Sequence, residues 1–122
     1  MLSTSHNRAY QDFSGLLIEL NNLLANPTQK IDPNLVQQEF QFLALCYEQN
    51  IVRLDCQDLE PAIASRWQSV QTEIKREFKL LSTDILFLAS ARQNSTQTKR
   101  LKSISDRLSK LIGYCQILLD KQ

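Results

Sequence analysis

Apolar residues recur along this chain at steps of three and four, the spacing that lines one face of an α-helix. Over residues 5–25, Tyr10, Phe13, Leu17, Leu20 and Leu24 form one stripe, with Leu16 and Leu23 beside it. Asn26-Pro27-Thr28 ends this segment, because proline disfavours helix in the residue before it. A second segment, residues 33–53, opens on Asp32-Pro33. Aspartate accepts from free N–H groups at a helix start, and proline suits the first helical position. Val36, Phe40, Leu43, Tyr47 and Ile51 carry its stripe. The third and longest segment, residues 59–92, has Asp58 or Glu60 as its cap and Pro61 in its first turn. Ile63, Trp67, Val70, Ile74, Phe78, Leu81, Ile85 and Leu88 line it, over a length of roughly 50 Å. The fourth, residues 96–120, follows the polar break Asn94-Ser95-Thr96. Leu101, Ile104, Leu108, Leu111, Cys115 and Leu118 give it a heptad stripe. Gly113 lies inside it, where glycine either admits a close neighbour or weakens the helix by about 1 kcal/mol. Short breaks make consecutive helices antiparallel. The pattern therefore predicts an all-α fold: one domain over residues 1–122, an antiparallel up-down-up-down four-helix bundle with a long third helix.

Composition narrows the function more than it names it. The 122 residues include 2 Gly and 3 Pro, where an average chain would carry about 14 of the two together. That argues against β-sandwiches, propellers, collagen-like repeats and Gly-rich phosphate loops. With 43% hydrophobic and 22% charged residues the chain is a folding sequence, not a disordered one. Its longest apolar runs, Phe42 to Cys46 and Ile85 to Ala89, fall far short of the ~18 residues a membrane span needs. The opening Met1-Leu2-Ser3-Thr4-Ser5-His6 has no apolar signal region, so a cytoplasmic location is expected.

Candidate chemistry is sparse. Cys46, Cys56 and Cys115 form no C-x-x-C pair, which speaks against a disulfide framework and a structural zinc. Any Ser/His/Asp or Cys/His constellation would have to use His6, the sole histidine, on an end read as frayed. Neither of the Glu-x-x-His pairs of a di-iron bundle occurs. Cys115 sits on the core stripe as a small hydrophobe, and Cys56 lies between Asp55 and Asp58, which disfavour a thiolate. Trp67, Phe40, Tyr47 and Phe78 read as core. No catalytic, metal or cofactor site is expected, and the chain is read as not an enzyme.

Charge is what remains. Residues 1–60 hold 3 basic and 8 acidic side chains, a net −5, and residues 61–122 hold 11 and 5, a net +6. Arg92, Lys99, Arg100, Lys102, Arg107 and Lys110 cluster around the last turn, offset by Asp106. Lys99, Arg100 and Lys102 fall in the opening turns of the fourth helix, where cations oppose the helix dipole. A basic end facing away from the acidic Asp55, Asp58 and Glu60 suits an acidic partner; a solvated basic helix is the plainer alternative. Nucleic acid is not expected, because the pI of about 7.7 is low for that class and the first half repels phosphate. Leu80, Leu86 and Phe87 lie beyond the third stripe, with Leu80 and Phe87 seven apart on one face. They either widen the apolar face a bundle helix needs or contact a partner, a homodimer included. Aligned antiparallel, Leu88 meets Leu101 and Leu81 meets Leu108. Asp84 then lies within a turn of Arg107, which predicts a register-fixing ion pair.

Residues 54–118 carry a family resemblance. Leu59-Glu60-Pro61-Ala62-Ile63-Ala64-Ser65-Arg66, Gln71-Thr72-Glu73-Ile74, Thr83-Asp84-Ile85-x-Phe87-Leu88 and Ala91-Arg92-Gln93 lead it. Asp106-Arg107-Leu108 and Leu111-Ile112-Gly113-Tyr114-Cys115 follow. Over residues 54–118, about half of its length, the chain resembles the PatD family, the heterocyst frequency control proteins of cyanobacteria. The resemblance implies a non-enzymatic regulator that binds the tubulin-like division protein FtsZ, modulates its assembly and so influences heterocyst frequency. It carries over no binding residues. Physical reasoning assigns that role to Arg92, Lys99, Arg100 and Lys102 for attraction and to Leu80, Leu86 and Phe87 for contact. The alternative reading is a self-associating helical scaffold, or an adaptor for another acidic protein.

Overall fold

The described residues form four helices and one π-helical turn. The computed structural model describes residues 2–25, 32–57 and 59–119. Helix α1 spans Thr4–Leu24, α2 Pro33–Cys46, α3 Pro61–Ser90 and α4 Asn94–Leu119; the π turn, Tyr47–Ile51, continues α2. Among the described residues there is no strand.

Side-chain contacts give the direction of each pair. Phe13 of α1 meets Tyr47, with ring centroids 5.6 Å apart. Farther along α1, Leu16 and Glu19 border Glu39 and Phe42, so α1 and α2 run antiparallel. Gln71 reaches the Ile51 carbonyl while Phe78 stacks on Tyr47 at 4.0 Å, which makes α2 and α3 antiparallel. On α3 and α4, Asp84 meets Ser103 and Glu77 meets Arg107, again antiparallel. Ser105 bonds Asn21 near the far end of α1. The result is the up-down-up-down bundle that the apolar spacing predicts.

Burial follows the stripes. Tyr10, Phe13, Leu17 and Leu20 meet Ile74, Phe78, Leu81, Ile85 and Leu88 from α3 and Ile104, Leu108, Leu111, Cys115 and Leu118 from α4. Each such large side chain contributes about 1.5–3 kcal/mol when fully buried. Phe13, Phe40, Tyr47 and Phe78 form an aromatic cluster at the level where α2 crosses α3. Phe40, Ile63, Val70 and Leu101 are half-buried rather than buried.

Three helix ends differ from the expected ones. First, α2 does not run as a regular helix to residue 53. At steps of four from Leu43 through Tyr47 to Ile51, a regular α-helix rotates its stripe steadily off the core. The i→i+5 bond from Val52 N to Tyr47 O, 3.0 Å, marks a wider turn that corrects this drift and leaves Ile51 fully buried. Second, Asp32 caps α2 as expected, accepting from Asn34 N at 3.0 Å, but Glu60 occupies the α3 cap position without a side-chain cap bond. Asp58, the other candidate cap, and the Asn26-Pro27-Thr28 break lie outside the described residues. Third, Asn94-Ser95-Thr96 is not a break but the first turn of α4. Gln97 N bonds Gln93 O at 3.0 Å and the Gln97 side chain bonds Ala91 O at 3.1 Å, so the turn between α3 and α4 closes before Asn94.

Candidate functional site

The seam between α3 and α4 places buried charge beside exposed apolar surface. Glu77 and Asp84 are seven residues apart on α3, and Arg100 and Arg107 seven apart on α4, so antiparallel packing sets the two pairs face to face. Glu77 is 1% exposed and accepts from Arg107 Nη1 at 3.0 Å; Arg76 and Lys110 stand at 3.7 and 3.8 Å. Asp84 accepts from Ser103 Oγ at 2.7 Å and lies 3.4 Å from Arg100 Nη1. The expected Asp84–Arg107 pair is present at 3.7 Å, but Arg107 gives its shorter contact to Glu77. Its Nε, at that distance from Asp84, is the buried side-chain nitrogen left without a hydrogen-bond partner among the described residues. Sequence reasoning named Asp84 and passed over Glu77. The available signal was a carboxylate inside the apolar stripe, flanked by Ile74, Phe78 and Leu81, at the register of an arginine.

This seam separates the seven residues proposed for partner contact. Leu80 and Phe87 stand together on its outer shoulder, 37% and 46% exposed, with the Arg100 guanidinium 4.6 Å above the Phe87 ring. That cation–π contact and the Asp84 pair hold Arg100 inward, so it is a seam residue first. Leu86, 66% exposed, lies about 100° around the helix from Phe87 and does not share the shoulder. Arg92, Lys99 and Lys102 are exposed and make no ion pair among the described residues. Because α4 starts at Asn94, Lys99 and Lys102 fall beyond its first turn, where the dipole penalty has largely decayed.

The opposite end is closed by a polar clasp. His6 is buried, not frayed. Its Nε2–H donates to the Asp55 carbonyl at 2.8 Å, which leaves Nδ1 to accept from the Ser3 hydroxyl. The ring meets Trp67 edge-on at 5.5 Å. Trp67 Nε1 donates to Tyr10 OH at 2.7 Å, and Tyr10 donates to Gln71 Oε1. The clasp ties the start of α1 to the segment between α2 and α3. A surface cavity of about 320 Å³ beside it is lined by Leu2, Ala62, Ile63, Arg66, Trp67, Ile117 and Leu118.

Two further observations concern the described residues. No group of three or more His, Cys, Asp and Glu side chains is placed to hold a metal ion, and no helix is long and apolar enough to cross a membrane. Comparison of the chain with protein families, with curated proteins and with solved structures finds no match.

Proposed function

We propose that this chain is a non-enzymatic interaction protein of the cytoplasm. Its α3–α4 side docks an acidic protein, and the partner is the division protein FtsZ, whose assembly the docking modulates. In a PatD-like setting this would influence heterocyst frequency. The observation that carries the reading is the α3–α4 side itself: Leu80 and Phe87 are exposed on the shoulder, and Arg92, Lys99 and Lys102, exposed elsewhere on the same side, make no ion pair among the described residues. The sequence resemblance supplies the partner's identity. Cations of this kind mainly raise the rate of encounter, and apolar anchors hold the complex.

The test is co-sedimentation of the purified protein with FtsZ and GTP at low and moderate salt, with the protein alone as control. GTP-dependent co-pelleting with a change in total polymer is the expected result. The triple substitution Arg92→Glu, Lys99→Glu and Lys102→Glu should weaken it at least about tenfold, by reversing three charges. Arg100 is left in place because its removal would unbalance Asp84. Full binding by a triple variant with unchanged helical circular dichroism removes the basic end from the site. No binding by the unaltered protein at either salt removes FtsZ.

A further inference from the structure

The α1–α2 side carries an apolar surface that the proposed function does not use. On α2, Phe42 is 62% exposed, Leu45 51% and Leu35 41%. Leu35 and Phe42 are seven residues apart, on one face and about 10.5 Å apart along the helix. Phe42 and Leu45 border an open trough of about 440 Å³ with Leu16, and Glu19 and Glu39 supply its charge.

The α3 shoulder repeats the pattern with the opposite charge. Leu80 and Phe87 are also a leucine and a phenylalanine seven residues apart, and both are exposed. Arg76, one turn before Leu80, pairs with Glu73 at 2.6 Å, and Arg100, over Phe87, pairs with Asp84, while the half of the chain that carries the shoulder, residues 61–122, has a net charge of +6. Glu77 and Asp84 are turned into the seam, so the outward surface of the basic half carries fewer carboxylates than its composition suggests.

We infer that the α2 face bordering this trough receives a second copy of this chain, whose Leu80–Phe87 shoulder seats on Leu35 and Phe42. The apolar pairs match in residue type and spacing, and the halves of the chain that carry them have opposite net charge, −5 and +6. Either side paired with itself across a two-fold axis would bring together two surfaces of the same net charge, which is unfavourable. The contact is therefore heterologous. Each copy offers one face and receives on the other, so assembly proceeds beyond a dimer, into a ring or an open chain. The inference does not rest on FtsZ binding, and its test contains no FtsZ. Both uses draw on the same shoulder, so one copy cannot serve both at once.

The experiment is sedimentation velocity of the purified full chain over about 1 to 300 μM protein, at roughly 50 and 500 mM salt. Phe42→Glu and Leu80→Glu are measured alone and mixed in equal amounts, with circular dichroism confirming that each variant is folded. The expected result is growth past the dimer for the unaltered chain, weakened by salt. Each variant alone should associate at least about thirtyfold more weakly, the loss typical of a removed anchor. The equimolar mixture should form a one-to-one dimer and stop, since Phe42→Glu retains the shoulder and Leu80→Glu retains the trough. A chain that stays monomeric across the range overturns the inference. So does assembly that stops at a two-fold dimer, assembly that survives either substitution, or a mixture that remains monomeric.

Discussion

Arg107 does more for the bundle than its half-exposed position suggests. It supplies the shortest contact to Glu77, a carboxylate 1% exposed, and stands beside Asp84 as well. A buried charge that loses its partner keeps the cost of desolvation, so deleting one member costs far more than replacing both. Arg107→Ala should lower unfolding free energy by about 2–4 kcal/mol, read from urea denaturation. Lys110 and Arg76, at 3.8 and 3.7 Å, are too distant to take over the hydrogen bond. The double substitution Glu77→Leu with Arg107→Leu should recover most of that loss. A deficit for Arg107→Ala below about 0.5 kcal/mol would put the pair with solvent-screened surface bridges and remove its role in fixing register.

Gly113 tests how each helix is made. It lies in the second half of α4, and a Cβ built there meets nothing within 4 Å. The close-approach reading of this glycine is therefore excluded, and what remains is its conformational freedom in the unfolded chain. Gly113→Ala should raise stability by about 0.5–1 kcal/mol, seen as a higher urea midpoint at unchanged slope; a fall would mean that the helix or its neighbour shifts to admit the methyl. The helices themselves were legible because burial enforces the step of three and four, and Leu101 through Leu118 keep it without interruption. What escaped was set by hydrogen bonding, which leaves no such period. The π turn at Tyr47–Ile51 changes the bonding without changing the apolar spacing. The start of α4 moved to Asn94 because the Gln97 side chain bonds Ala91 O across the turn. His6 looked like a frayed end because its partners, Ser3 and the Asp55 carbonyl, are a local hydroxyl and a backbone atom 49 residues away. On the shoulder, Leu80 and Phe87 were legible as a pair from their spacing, whereas the inward hold on Arg100 needed the packed seam.

At the scale of the whole molecule, the core between α1 and α4 is built to stay uncharged, buried carboxylates sit in the α3–α4 seam, and the exterior is of two signs. Where α1 meets α4, Tyr10 and Cys115 are both fully buried, and no ion pair reaches either among the described residues. Burial pushes the Cys115 thiol up from an ordinary 9.0 to about 12. It also holds the Tyr10 phenol well above the usual tyrosine range, against the opposing pull of the Trp67 hydrogen bond. Both groups are thus held in their protonated form by folding. In alkali the unfolded chain releases these protons first, so stability is fully present below pH 9.0 and declines as pH climbs towards about 12. Cys115 alone should remove about 1 kcal/mol by pH 10, with Tyr10 adding to the loss above that. The check is the urea midpoint measured in steps from neutral pH upward, for the unaltered chain and for Cys115→Ala. The substitution lowers the midpoint at neutral pH by opening a cavity, but it should abolish the part of the decline that begins near pH 9.0 and leave the later tyrosine part in place, so the gap between the two proteins narrows as pH rises. A midpoint that stays level to pH 11, or a decline identical in both proteins, would show that the core already admits water at this position. If the decline appears as expected, Cys115 is a sealed packing residue, and the activity of the chain has to be sought on the acidic trough and the basic shoulder.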